Sequence, residues 1–204
     1  MTVVQIAPAV WISVTDRGHA GNSEHPADLA AARNLPHWRR TEHLAARSLL
    51  RDLLRRVAAE AAEAVLATEP GGRPYLTGHA DLGISVSHDS RLVAAAVARG
   101  RSVGVDVQEA INPVHPRTAR RVLGPHAPAV LAMADSGGYE LAAVWSAQEA
   151  CVKAAGTGLA GRPWTVPVPP YQSSGRWRDY RWVTLRRLPA PVSAAFTEST
   201  RSSR

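Results

Sequence analysis

Strand and helix signals arrive in two batches along this chain: strand, helix, strands, then helix, strands. That order predicts an α+β fold with antiparallel sheet. The batches divide it into two similar α/β halves, residues 1–101 and 102–204, meeting near residues 99–104. Length and composition agree. The 204 residues suffice for a sizeable core, and a hydrophobic content of 45% is ordinary for a globular protein.

The elements follow in order. Val3–Val14 reads as one or two strands broken at Pro8. Residues 15–26 (TDRGHAGNSEHP) are polar and turn-rich and read as a loop. A short helix is expected at Ala27–Asn34 and a longer one at Thr41–Leu66. In the longer one Leu44, Leu49, Leu53, Val57 and Ala61 recur at helical spacing, and Arg51, Arg55, Arg56 and Glu60 fall on the other face. EPGGRPYL is a turn. Three strands follow between Gly83 and Val107: GISVS, LVAAAVA and SVGVDV. A helix or helix pair spans 116–134. A stronger helix at Tyr139–Ala155 is ended by Gly156 and Gly158. Pro163–Pro170 is an irregular loop, 176–187 and 190–197 an antiparallel pair, and the tail TRSSR is expected to fray.

The charge balance narrows the partners. A net charge of +7 attracts polyanions such as nucleotides, nucleic acid or acidic proteins. The arginines are dispersed rather than blocked, which disfavours a nucleic-acid-binding domain. Cys151 is the one cysteine, so no internal disulfide forms, and a reducing cytoplasm is the expected compartment. The opening MTVVQIAPAVWISVTD lacks the features of a secretory signal, and no apolar run approaches about 20 residues, so no membrane span is expected.

Four short stretches could carry chemistry. In WSAQEACVK, Trp145, Glu149 and Lys153 are four apart and share one helix face. Lys153 is the only lysine; the other 23 of the 24 Lys+Arg residues are arginine. A surface Glu–Lys pair, worth about 0.2–0.5 kcal/mol, has this spacing. So does a metal-binding carboxylate with a cation one turn on. In VGVDVQEA, Asp106 sits in an apolar, β-branched run where a carboxylate is costly to bury. Alternation puts Asp106 and Gln108 on one face and turns Glu109 to the other. Asp106 could serve a turn at the strand end, or join a helix carboxylate in an oxygen-rich site suited to Mg²⁺. In ISVSHDS, Ser87 and His88 end a strand as a turn pair or an anion contact. Arg73, in GGRP, is not explained by turn chemistry.

Taken in order, GRP, SVSHDS, GVDV and WSAQEACVKAAGTGL resemble the 4′-phosphopantetheinyl transferase superfamily in its Sfp-like, pseudo-dimeric form, over roughly residues 40 to 160. The resemblance implies two α/β halves related by a pseudo-twofold, with coenzyme A in the cleft between them. It implies Mg²⁺-dependent transfer of the phosphopantetheine arm of coenzyme A to a serine of an apo acyl or peptidyl carrier protein, with release of adenosine 3′,5′-bisphosphate. Asp106 and Glu149 would ligate Mg²⁺, with Gln108 as a third donor. Lys153 would neutralise phosphate charge, and Glu149 could take the serine proton. Ser87, His88, Arg47 and Arg73 would contact coenzyme A. A cytoplasmic monomer, as in secondary metabolite biosynthesis, is the expected form.

Two positions depart from the family pattern. Its D-x-E is Asp106-x-Gln108 here, and its K-E is Gln148-Glu149. These departures keep a second reading in play: an inactive or repurposed relative that binds carrier protein or coenzyme A without transferring the arm. Cys151 is the one nucleophile for different chemistry, but its helix position turns it away from Glu149 and Lys153 and toward the core.

Overall fold

The computed structural model of the chain describes residues 2–133 and 136–198. A hairpin of β1 (Thr2–Ala7) and β2 (Val10–Asp16) opens the fold and turns after the expected break at Pro8. The expected loop at 15–26 contains one helical turn, α1 (Arg17–Ala20), because Asp16 accepts the Gly18 N–H at 2.9 Å. Next come α2 (Pro26–Ala32) and α3 (His37–Val57).

The α3 helix begins four residues before the expected Thr41 and stops nine before Leu66. Its face assignment also needs one correction. Arg51 is not on the exposed side: it is 2% exposed, with Nε at 2.7 Å and Nη2 at 3.1 Å from the Asp28 carboxylate. Its Nη1 donates to the carbonyls of Ala62 and Ala64 at 2.6 and 3.3 Å. Those bonds draw the chain after Ala58 back alongside the helix, which is why an alanine-rich stretch of high helix propensity does not extend it.

A small hairpin, β3 (Leu66–Thr68) with β4 (Pro74–Leu76), takes the place of the expected helix end and turn. The three expected strands are β5 (Leu82–Asp89), β6 (Leu92–Arg99) and β7 (Val103–Val107). The helical stretch after them is α4 (Pro116–Leu123), α5 (Ala127–Leu131) and α6 (Gly137–Ala154). The final pair is in fact three strands, β8 (Ser174–Trp177), β9 (Tyr180–Leu185) and β10 (Val192–Thr197), with a tight turn at Arg178 splitting the first segment. The tail TRSSR lies outside the described residues.

The strands form two antiparallel four-stranded sheets, β1-β2-β6-β5 and β7-β10-β9-β8. In both, the strand that precedes the long helix pairs with the last strand, which pairs with the penultimate one. Alternation along β6 builds the layers. Val93, Ala95 and Val97 meet the leucines of α3, while Ala94, Ala96 and Ala98 meet Val103, Val105, Val107, Val192, Ala194 and Phe196 of the second sheet. The other face of that sheet carries Trp182 and Ala195 against Ala147, Ala150, Cys151 and Ala154 of α6. The order through the molecule is therefore α3, first sheet, second sheet, α6.

Two glycines set the closest approaches. A Cβ on Gly83 would lie 2.1 Å from the Arg101 carbonyl oxygen. A Cβ on Gly104 would lie 2.2 Å from the Ala150 carbonyl oxygen and 2.8 Å from the Lys153 Cβ. Gly104 is thus what lets α6 lie directly on β7.

Candidate active site

The site lies where the edge strand β7 passes between β5 and α6. Small residues alternate on β5, and Ser85 Oγ accepts the Val105 N–H at 3.0 Å. This fixes the register so that Ser87, two residues further along β5, meets Asp106, the next residue after Val105 on β7. Ser87 Oγ donates to Asp106 Oδ1 at 2.7 Å. From α6, Lys153 Nζ reaches the same Oδ1 at 2.6 Å, Ser87 Oγ at 3.1 Å and the Val105 carbonyl at 3.3 Å. Glu149, one turn earlier, holds Oε2 at 4.0 Å from Nζ. The surface-pair reading of Glu149 and Lys153 does not fit, because Lys153 is committed to a buried carboxylate on another element.

An open pocket of about 330 Å³ gathers Ser87, His88, Asp106, Gln108, Trp145, Glu149 and Lys153. Asp106 is 5% exposed, and its Oδ2 is buried without a hydrogen-bond partner. Burial pushes its carboxyl above the usual range, aided by Asp89 and opposed by Lys153 and Ser87. Burial also raises Glu149, with Asp106 adding and Lys153 opposing. Two carboxyls raised together are short of positive charge, and a cation would relieve both.

Among the described residues no group of three or more His, Cys, Asp and Glu side chains is gathered to hold a metal. The donors present are two carboxylates and the Gln108 amide. With the orphaned Asp106 Oδ2, that set fits a hard cation keeping water or substrate oxygens in its other positions.

The other sequence-derived residues lie elsewhere. Arg47 is buried in α3 with Nη1 3.8 Å from Asp28 Oδ1 and no hydrogen bond to that Nη1. Arg73 donates to Ser102 Oγ at 2.8 Å and lines a separate pocket of about 800 Å³ with Glu69, His79 and Arg101. Ser102 Oγ in turn donates to the Ala154 carbonyl at the end of α6. His88 is half-exposed, its Nδ1 3.7 Å from Glu42 Oε2.

Both departures from the family pattern have a place. Gln108 lines the pocket, and Glu109 turns away to accept the Arg91 N–H at 3.3 Å, as alternation predicts. Gln148 is 2% exposed and faces the core. Its Nε2 donates to the Val122 and Val166 carbonyls at 3.0 and 3.1 Å, tying α4 and the 163–168 segment to α6. Cys151 is wholly buried and its thiol is pushed up to about 12, so it supplies no thiolate nucleophile.

Sequence reasoning missed Asp89. Its Oδ2 accepts Gln108 Nε2 at 2.8 Å and the Glu109 N–H at 2.6 Å. The role of Gly104 was also missed. A glycine inside a β-branched run was the available signal, since it marks a close backbone approach.

In an antiparallel α+β fold, paired carboxylates, one lysine and a serine thus meet in one pocket at a strand junction. Residues 102–187, which carry Asp106, Gln108, Glu149 and Lys153, match the family model of the 4′-phosphopantetheinyl transferase superfamily. The family resemblance of the motifs is borne out over that stretch. No curated protein matches the chain. Among the described residues no helix is long and apolar enough to cross a membrane.

Proposed function

We propose that the protein transfers the 4′-phosphopantetheine arm of coenzyme A to a serine hydroxyl of an apo acyl or peptidyl carrier protein and releases adenosine 3′,5′-bisphosphate. The observation that carries this reading is the convergence of Asp106, Glu149, Lys153, Ser87, His88 and Gln108 on one pocket, within the family match for four of the six. In the reaction the serine oxygen forms a bond to the pantetheine-side phosphorus. The bond from that phosphorus to the bridging pyrophosphate oxygen breaks, and the electron pair leaves with the adenosine bisphosphate.

Asp106, Glu149 and the Gln108 carbonyl would hold Mg²⁺, which when bound neutralises pyrophosphate charge. Lys153 is held by Asp106 Oδ1 and Ser87 Oγ. Its ammonium would pair with a phosphate oxygen and keep that charge compensated as the leaving group departs. His88 offers a donor to the same phosphates, and Ser87 Oγ, whose one proton goes to Asp106 Oδ1, would turn that proton to them. Glu149, raised by burial, is the base that accepts the serine proton, directly or through water. Arg73 and Arg47 would contact the nucleotide end.

The two sheets with their helices would be two halves related by a pseudo-twofold, divided near residues 101 and 102, with coenzyme A between them. The net charge of +7 suits a polyanionic substrate and an acidic carrier. A cytoplasmic monomer serving secondary metabolism completes the reading.

The test is transfer of a fluorescent arm from labelled coenzyme A to an apo carrier, followed for single variants. Asp106→Ala and Glu149→Ala should each lower kcat/KM by at least about 100-fold. Arg73→Ala should act mainly on KM for coenzyme A. Full activity in both carboxylate variants would remove the site assignment.

A further inference from the structure

The family pattern carries a carboxylate where this chain has Gln108, yet a carboxylate stands directly behind that glutamine. Asp89 ends β5, paired across the sheet with Leu92, and its Oδ2 accepts Gln108 Nε2 at 2.8 Å. An ionised carboxylate only accepts hydrogen bonds, so only the NH₂ end of the amide can face it. The carbonyl Oε1 is then the end left for the pocket that Gln108 lines with Asp106 and Glu149. The same Oδ2 takes the Glu109 N–H at 2.6 Å, and Arg91 holds the Glu109 side chain on the far side. The exit of β7 is thereby clasped to the β5–β6 turn on both sides of residue 108.

We propose that Asp89 is a positioning residue that presents the Gln108 carbonyl oxygen to the pocket as a cation ligand, so that the Asp89–Gln108 pair does the work of one direct carboxylate. The inference rests on the metal-assisted reading of the pocket above. Its chemistry is specific. A neutral amide ligates a hard cation only through oxygen, and a carboxylate on its nitrogen both fixes its orientation and polarises the carbonyl. A glutamine free to rotate would have to be ordered with its oxygen toward the cation at the moment of binding, at a cost in affinity.

The experiment titrates Mn²⁺ into purified full-length protein with coenzyme A present and reads free Mn²⁺ by electron paramagnetic resonance. Asp106→Ala sets the baseline without the pocket. Asp89→Ala should weaken Mn²⁺ binding by about tenfold. Gln108→Leu removes the donor oxygen but keeps the bond from Asp89 to the Glu109 N–H, and should weaken binding to a similar degree. The double variant Asp89→Ala with Gln108→Glu should restore affinity, because a carboxylate at 108 has no wrong end.

A merely structural Asp89 would not be rescued by a change at residue 108. Parent-like affinity in Asp89→Ala or Gln108→Leu, or a double variant no tighter than Asp89→Ala, overturns the inference while the pocket reading stands. Equal binding by the parent and Asp106→Ala overturns both.

Discussion

Lys153 is the only lysine in the chain, and its surroundings favour that residue type. Its Nζ meets three acceptors on two strands, Asp106 Oδ1, Ser87 Oγ and the Val105 carbonyl, none further than 3.3 Å. A compact ammonium satisfies three converging acceptors, whereas a planar guanidinium presents its donors in one fork. Beside it, Glu149 carries the cost of its own burial. Burial and Asp106 raise it above its ordinary 4.5, with Lys153 opposing. A raised carboxyl binds its proton more tightly in the folded state than in the unfolded one. Its contribution to stability is full below the unfolded value near 4.5 and is lost as pH rises through the folded value. Glu149→Gln lacks that loss. It should melt above the parent by about 2 °C near neutral pH, and the gap should close as pH falls toward the ordinary value. Calorimetry across that range checks it, and a gap that widens toward acid contradicts it. The same variant should be defective in transfer, since in the proposed reaction the charge that costs stability is the one that accepts the proton.

At the scale of elements, α6 shows how one helix serves two faces. Glu149 and Lys153 look into the pocket, while Gln148 and Cys151 look into the core. The Gln148 position therefore offers the pocket no cation in this chain, whatever the family pattern carries there. Gln148→Lys should lower stability by about 3 kcal/mol or more, because it buries a charge among the Val122 and Val166 carbonyls without a counter-ion. It should not raise kcat. Denaturant unfolding beside a transfer assay checks both, and a stable variant with higher kcat would contradict this placement.

The legibility of this site followed the range of its interactions. The i, i+4 spacing of Trp145, Glu149 and Lys153 and the alternation at Asp106, Gln108 and Glu109 are local, so both could be read from sequence. The bond from Asp89 to Gln108 spans 19 residues and joins two sheets, and nothing local marks it. The end of α3 failed for the same reason. The alanine-rich stretch after Val57 has helical propensity, but Arg51 reaches across to Ala62 and Ala64 and holds it in another path. A charge on an apparently exposed face gave no sign that Asp28 would bury it. The strands between Gly83 and Val107 were legible as strands. That the third leaves for a second sheet depends on pairing with β10, far along the chain.

At the scale of the whole molecule, the pocket exists because two sheets meet. Ser87 and His88 come from the first, Asp106 and Gln108 from the end of β7 in the second, and α6 closes over them. Phe196, 2% exposed, fills the layer between the sheets with Val103, Val105 and Val192. Phe196→Ala should cost about 3–5 kcal/mol. It should also weaken transfer by loosening the register of Ser87 against Asp106, although residue 196 lines no part of the pocket. A loss below about 1 kcal/mol would show that this layer does not hold the sheets together.

The proposed function of this assembled pocket is transfer of a phosphopantetheine arm. The most direct measurement is intact-protein mass spectrometry of a panel of apo carrier proteins incubated with the protein, coenzyme A and Mg²⁺, beside a metal-free control. The expected result is a carrier heavier by one phosphopantetheine in the presence of metal and unchanged in its absence. A protein that binds coenzyme A yet leaves every carrier at its apo mass would contradict the claim and make it a relative that holds the substrate without moving the arm.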